Sequence, residues 1–262
     1  RRAFIGRINY DYKSKYMIYF AFREDASSSF PKASRWGFFP SVSAGWRISE
    51  ENFVKYNAPW ITNLKLRASY GIMGDDASAG TYPQTLVGYD VQYGSTIYGW
   101  MYDGTSLSTG VSPTSIPNLN LTWYTAETYN AGLDWTFWKG KFGGTAELFM
   151  RNRKGLLATS TAVIPSTVGA SLPQENLESD RTFGWEIQLS HYNKVGEVNY
   201  WITGQISATK NRWIYHLDSK AGNSMANWYR GNVSGRNKDI WFAYEEAGRF
   251  QSYKDIQYHP LS

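Results

Sequence analysis

Apolar and polar residues alternate along much of this chain with the two-residue period of a strand that has one dry and one wet face. Between Asn63 and Gly74, Leu64, Leu66, Ala68, Tyr70 and Ile72 fall on one side, and Lys65, Arg67, Ser69 and Gly71 on the other. The pattern recurs in Ala3 to Tyr12, Trp36 to Ile48, Thr128 to Phe137, Phe142 to Asn152, Thr182 to Ser190 and Val198 to Lys210, while Tyr16 to Arg23 is apolar on most of both faces. These segments predict eight strands, at roughly 3–12, 16–24, 36–48, 62–73, 123–137, 141–152, 181–191 and 197–210.

The connections alternate in length. Short ones cover 13–15, 138–141 and 192–197, with 49–61 as a longer member that has room for one helical turn; the long ones cover 24–35, 74–122, 153–181 and 211–262. If every link is an antiparallel hairpin, all short links lie at one end of the sheet and all long links at the other. That is the layout of a transmembrane β-barrel with short turns on one side and long outer loops on the other. About 9 to 11 tilted residues cross the hydrocarbon layer, which suits these strand lengths. Aromatic residues gather near strand ends, as in Tyr10, Tyr12 and Tyr16 or Trp135, Phe137, Trp138 and Phe142, where amphipathic rings would meet headgroups. A soluble sandwich whose apolar faces meet in a core shows the same alternation, so periodicity alone leaves both architectures open; the loop asymmetry favours the barrel.

Composition narrows the class. In 262 residues, 20 Tyr, 12 Trp, 13 Phe and 24 Gly suit pleated strands and tight turns, which makes the chain all-β. The net charge of +5 is spread along the sequence and gives no basic stripe, so nucleic acid is not an expected partner. The absence of cysteine excludes disulfides, thiolate metal sites and thiol catalysis. The longest apolar run, Tyr16 to Phe22, is far shorter than the roughly 18 residues of a membrane-spanning helix, which excludes helical spans and leaves barrels untouched. Arg1 opens the chain without a start methionine or signal segment, so a mature, processed or partial polypeptide is expected.

Specific strings then carry a resemblance. Gly6-Arg7-Ile8-Asn9-Tyr10-Asp11-Tyr12 with Lys15-Tyr16, and above all Arg35-Trp36-Gly37-Phe38-Phe39-Pro40-Ser41-Val42-Ser43-Ala44-Gly45-Trp46-Arg47-Ile48-Ser49-Glu50, closely resemble the barrel of SusC/RagA-type TonB-dependent outer-membrane transporters. Asn63 to Gly71, Asn118-Leu119-Asn120-Leu121-Thr122-Trp123, Gly132-Leu133-Asp134 and Phe183-Gly184-Trp185-Glu186 look like successive landmarks in the family's order. Departures are Ala26, where a glycine is usual, and Asp75-Asp76 after Gly74, where an asparagine is usual; both fall in expected loops. The resemblance implies a segment of about eight strands from the C-terminal part of a larger, 22-stranded barrel, with the whole of 1–262 being partial barrel and no plug domain or TonB-contacting segment in it. It also implies a Gram-negative outer-membrane location, import of bulky nutrients such as oligosaccharides or peptides, energy from TonB through parts outside this chain, a plug within the barrel and a SusD-like surface lipoprotein as lid. The alternatives are a soluble aromatic-rich carbohydrate-binding β-domain and a small closed eight-stranded barrel with a structural or adhesive role.

Candidate chemistry is sparse. His191, His216 and His259 lack metal-ligand spacing, and Gly222 to Ala226 only faintly echoes a nucleophile elbow, so neither an enzyme nor a cofactor is expected. The polar strand faces are more informative. Arg7, Arg23, Arg47, Arg67, Asp134, Glu147, Arg151 and Glu186 should face the lumen, either touching a plug or a passing solute or pairing across strands. In the long loops, Tyr98, Trp100, Tyr102, Trp228, Tyr229 and Trp241 are candidates for stacking on a ligand or filling a partner's pockets, the alternative being packing of the loops against one another.

Overall fold

The computed structural model describes residues 1–76, 88–91, 100–101, 107–108, 111–160, 165, 172–217, 225–243, 249 and 251–254. In chain order the strands are β1 (Arg2–Tyr12), β2 (Tyr16–Ala26), β3 (Trp36–Arg47), β4 (Ile61–Asp75), the short β5 (Gly88–Val91), β6 (Trp100–Met101), β7 (Leu107–Ser108) and β8 (Val111–Ser115), then β9 (Tyr124–Phe137), β10 (Phe142–Thr159), β11 (Gln174–Val195) and β12 (Val198–Tyr215). Helix α1 (Asn52–Asn57) fills the 49–61 connection, and α2 (Met225–Gly231) lies beyond β12. Eight strands form one antiparallel sheet in the order β1-β2-β3-β4-β9-β10-β11-β12, each next to its neighbour in the chain apart from the excursion that holds β5 to β8. Every link in that sheet is therefore a hairpin.

The register gives the two faces their character. One row of paired residues runs Tyr10, Ile18, Ala44, Ala68, Ala131, Leu148, Trp185, Ala208 across all eight strands. One residue further along each strand, on the opposite face, the row runs Asp11, Met17, Gly45, Arg67, Gly132, Glu147, Glu186, Ser207. The period-2 pattern of each strand is thus in phase with that of the next, which gives the sheet one apolar side and one polar side.

Nothing among the described residues covers the apolar side: Leu148 is 63% exposed and Ile206 60%. The buried apolar cluster is instead a small one at the long-loop end, where Phe30 and Leu121 pack with Trp123 and Leu157. This differs from the soluble domain, whose greasy faces would have to meet around a dry centre. The closed eight-stranded ring fails, because the sheet order ends at β1 and β12, which do not pair with each other. An open eight-stranded sheet with an uncovered apolar face is a sector of a larger barrel.

β2 and β4 end two residues past their expected bounds, and three strands run five residues or more past theirs. β10 continues through Thr159 and β11 begins at Gln174, so both ends of the expected 153–181 loop are strand; β12 continues to Tyr215, and β11 and β12 meet in a tight hairpin at Gly196-Glu197. Gly196 takes φ +62°, a left-handed turn conformation that glycine adopts without steric cost. The extensions carry Arg153, Lys154, Glu178, Asp180 and Arg212. Strands that rise above the hydrocarbon layer need no apolar face, so the alternation fades although the backbone pairing does not.

Candidate functional site

The polar face is knit together by a charge group at its centre. Arg67 on β4 donates from Nε to Asp134 Oδ1 on β9 at 3.3 Å and from Nη2 to Glu147 Oε2 on β10 at 2.8 Å, crossing three strands. Gly132 makes this reach possible, because a Cβ there would come within 2.7 Å of the Arg67 guanidinium carbon. The Gly132-Leu133-Asp134 string thus has one use per residue: room for the arginine, an apolar outer side chain, and an acceptor. Glu186 faces Glu147 directly across β10 and β11, and Lys65 faces both Asp134 and Arg47.

The remaining candidates are placed around this centre. Arg23 bonds Asp25 two residues along its own strand at 2.5 Å, and Arg7 stands opposite Ala21, two pairings away. Arg151, opposite Thr182, is exposed, and Arg47 is half-buried near the short-turn end. All eight candidates share the polar face. Only Arg67, Asp134 and Glu147 are in direct contact.

Each end of the sheet has its own fastening. At the short-turn end Glu51 accepts from Tyr16 Oη at 2.7 Å and Trp46 Nε1 at 3.2 Å, and pairs with Lys15 at 3.3 Å. The hydrogen bond from Tyr16, then those from Trp46 and Lys15, hold its carboxyl below the ordinary carboxylate range. Nearby, Trp60, Phe137, Trp138 and Phe142 form a belt with ring centroids 5.1 to 6.4 Å apart. At the long-loop end, Asn176 donates to Thr122 O at 2.9 Å and Gly155 O at 2.7 Å, and accepts from Thr122 N at 2.9 Å. Asn118 donates to Gln174 O at 2.6 Å. The Asn118 to Trp123 string is therefore a staple that pins the chain entering β9 onto β10 and β11, with Leu121 fully buried beneath it. Phe39 lies across Gly37 and Gly74 and meets Trp123 edge-on at 5.3 Å.

Residues 3–258 match the family described as "TonB dependent receptor-like, beta-barrel". The chain belongs to that family. Members of the TonB-dependent receptor family are outer-membrane β-barrel proteins, so the uncovered apolar face is the side that meets lipid. Among relatives, SusC, a TonB-dependent receptor of Bacteroides thetaiotaomicron, is 33% identical over 189 residues, which is 72% of this chain and 18% of SusC. A TonB-dependent receptor of Formosa agariphila is 32% identical over 211 residues, 80% of this chain and 20% of that protein. The chain spans about a fifth of the length of the curated relatives it matches. Among solved structures, the RagAB peptide importer in the "open-open" state superposes with a TM-score of 0.69 at 20% identity, over 84% of this chain and 22% of that one, a likeness of fold.

In this receptor sector the loop candidates meet different fates. Tyr98 and Tyr102 lie outside the described residues, and of Trp100 and Trp228 only the backbone, in β6 and α2, is described. Tyr229 receives the Arg236 guanidinium at 4.1 Å from its ring centre and the edge of Phe242 at 5.7 Å. It packs the loop, whereas Trp241 stands 92% exposed. The sequence reading missed a hub below this loop. Asp180, 2% exposed, accepts from Arg153 Nε at 2.8 Å and pairs with Arg153 Nη2 and Lys238 Nζ, while Lys238 Nζ lies 3.5 Å from the Trp213 ring centre. Placing 153–181 wholly in a loop hid it; the strand pairing of Asp180 with Arg153 shows it at once. His216, which lacks metal-ligand spacing in the sequence, places Nδ1 2.5 Å from Glu178 Oε1 and stacks on Trp213.

Proposed function

We propose that this chain is a wall sector of an outer-membrane importer for bulky nutrients, oligosaccharides or peptides, driven through TonB. Support comes from the in-phase polar face: a row that carries Asp11, Arg67, Glu147, Glu186 and Ser207, with Met17, Gly45 and Gly132 between them, suits a hydrated bore, and the long connections at one end suit an outer mouth. Gated passage needs no covalent step. The Arg67 group would brace the wall behind a plug held in the complete barrel. Arg7, Arg23, Arg47, Arg151 and Glu186 would offer it or the passing solute hydrogen-bonding partners. Trp241 and its neighbours would present stacking surface at the mouth, where a SusD-like lipoprotein lid would hand over the nutrient. TonB dependence is favoured by SusC, a TonB-dependent receptor, among the relatives, and a peptide as the nutrient by the RagAB peptide importer among the structures.

The experiment is uptake of labelled oligosaccharides and labelled peptides by cells with and without the full-length gene. Accumulation of one class that disappears with the gene, and equally with TonB, is the expected result. Unchanged uptake of both classes contradicts the proposal.

A further inference from the structure

The outward face changes character at the long-loop end of β10, β11 and β12. Lys154 lies 12 residues beyond Phe142, where β10 starts; Lys210 and Arg212 lie 12 and 14 residues beyond Val198, where β12 starts; Arg181 lies 14 residues before Val195, where β11 ends. The four therefore stand at one height above the short turns. The register places them on the apolar side: Arg181 faces Asn152 and Arg212, and Lys210 faces Phe183. At about 3.4 Å per residue and a tilt near 40°, 12 to 14 residues climb roughly 31–36 Å, against an apolar band of about 25 Å. These cations clear the acyl chains and sit in the headgroup layer.

Their charges are poorly balanced by the protein. Lys154 pairs with Glu127 at 2.8 Å. Arg181 Nε donates to the neutral Asn152 Oδ1 at 2.7 Å and Arg212 Nε to Gly235 O at 2.6 Å, while Lys210 is exposed. Among the described residues no carboxylate lies within ion-pair distance of these three. Arg181 and Arg212 are moreover directly opposed across the two strands, and like charges so placed repel. Two guanidinium forks and an ammonium at neighbouring register positions in the headgroup layer match phosphate oxygens, which accept two parallel N–H bonds from one arginine.

We infer that Arg181, Lys210 and Arg212 form an outward-facing site for the phosphate groups of a phosphorylated glycolipid in the outer leaflet. The inference rests on the reading that the long connections face outward, and it is independent of what the barrel imports. Its test uses the full-length receptor in detergent, titrated with bisphosphorylated lipid A and with the same glycolipid stripped of phosphate, bound lipid being counted by native mass spectrometry. The phosphorylated form should bind at least tenfold more tightly. The triple variant Arg181→Gln, Lys210→Gln, Arg212→Gln should lose at least tenfold of that affinity while keeping the heat-modifiable gel mobility of a folded barrel. Should the triple variant fail to fold, Lys210→Gln alone, an exposed change, should cost about threefold, whereas Lys194→Gln at the short-turn end should cost nothing. Equal binding of the two glycolipids, or undiminished binding by the folded variants, overturns the inference. The readout needs neither nutrient nor TonB, so loss of the import reading would leave it standing, and the reverse.

Discussion

At the scale of single residues, the polar face depends on small side chains that let large ones cross. Arg67 reaches Glu147 only because Gly132 leaves the intervening strand flat. Gly132→Ala and Glu147→Gln should therefore be non-additive, with a coupling of about 0.5–1 kcal/mol, the range for partly exposed ion pairs, in a double-mutant cycle of barrel unfolding. On the other face the stakes are larger. Leu66→Arg near the middle of the apolar band should cost about 2–4 kcal/mol in the same assay, and Asp180→Asn should weaken the Arg153–Asp180–Lys238 hub by about 1.5–3 kcal/mol, seen as faster proteolysis of the 225–243 segment. The facing of Arg67, Asp134 and Glu147 was legible from alternation alone, since parity along a strand fixes the side. Their contact was not, because it depends on inter-strand register. Asp180 was illegible for another reason: it belongs to a stretch of strand polar on both sides, where alternation carries no signal.

At the scale of elements, hairpins are fastened differently at the two ends. The short-turn end relies on Glu51 holding Tyr16, Trp46 and Lys15, which ties the β1–β2 turn to the β3–β4 connection. Because the folded-state pKa of Glu51 is lowered, this clamp contributes fully above the unfolded carboxylate value of about 4.3 and is lost as pH falls below it through the folded value. Amide exchange in 48–60 should stay constant from pH 7 to 5, once corrected for intrinsic rates, and quicken below about pH 4; Glu51→Gln should show the quickened exchange throughout. At the long-loop end the Asn118 and Asn176 staples are neutral and give no such pH response of their own. The sequence reading found the eight strands because each crosses a boundary that demands one apolar side. It lost the outer ends of β10, β11 and β12 where that demand stops.

At the scale of the molecule, the decisive property is a sheet whose apolar face is uncovered and whose strand order runs from β1 to β12 without closing. The apolar face follows from in-phase alternation in eight strands joined by seven hairpins, and both properties match membership of the TonB-dependent receptor family over residues 3–258. Strand count and loop asymmetry were legible in the alternation; the openness of the sheet was legible only through the family resemblance, because nothing in a strand's own sequence records what pairs with the outer edges of β1 and β12. The most direct test of the account uses single-cysteine probes along β4, which are free of background from this chain because it contains no cysteine. Spin labels at positions 64 to 70 of the full-length receptor in bilayers should alternate with period two. Those at Leu64, Leu66, Ala68 and Tyr70 should be accessible to molecular oxygen dissolved in lipid, and those at Lys65, Arg67 and Ser69 to a water-soluble nickel complex. Absence of that alternation, or accessibility to the nickel complex on both faces, would contradict a wall between lipid and a hydrated bore.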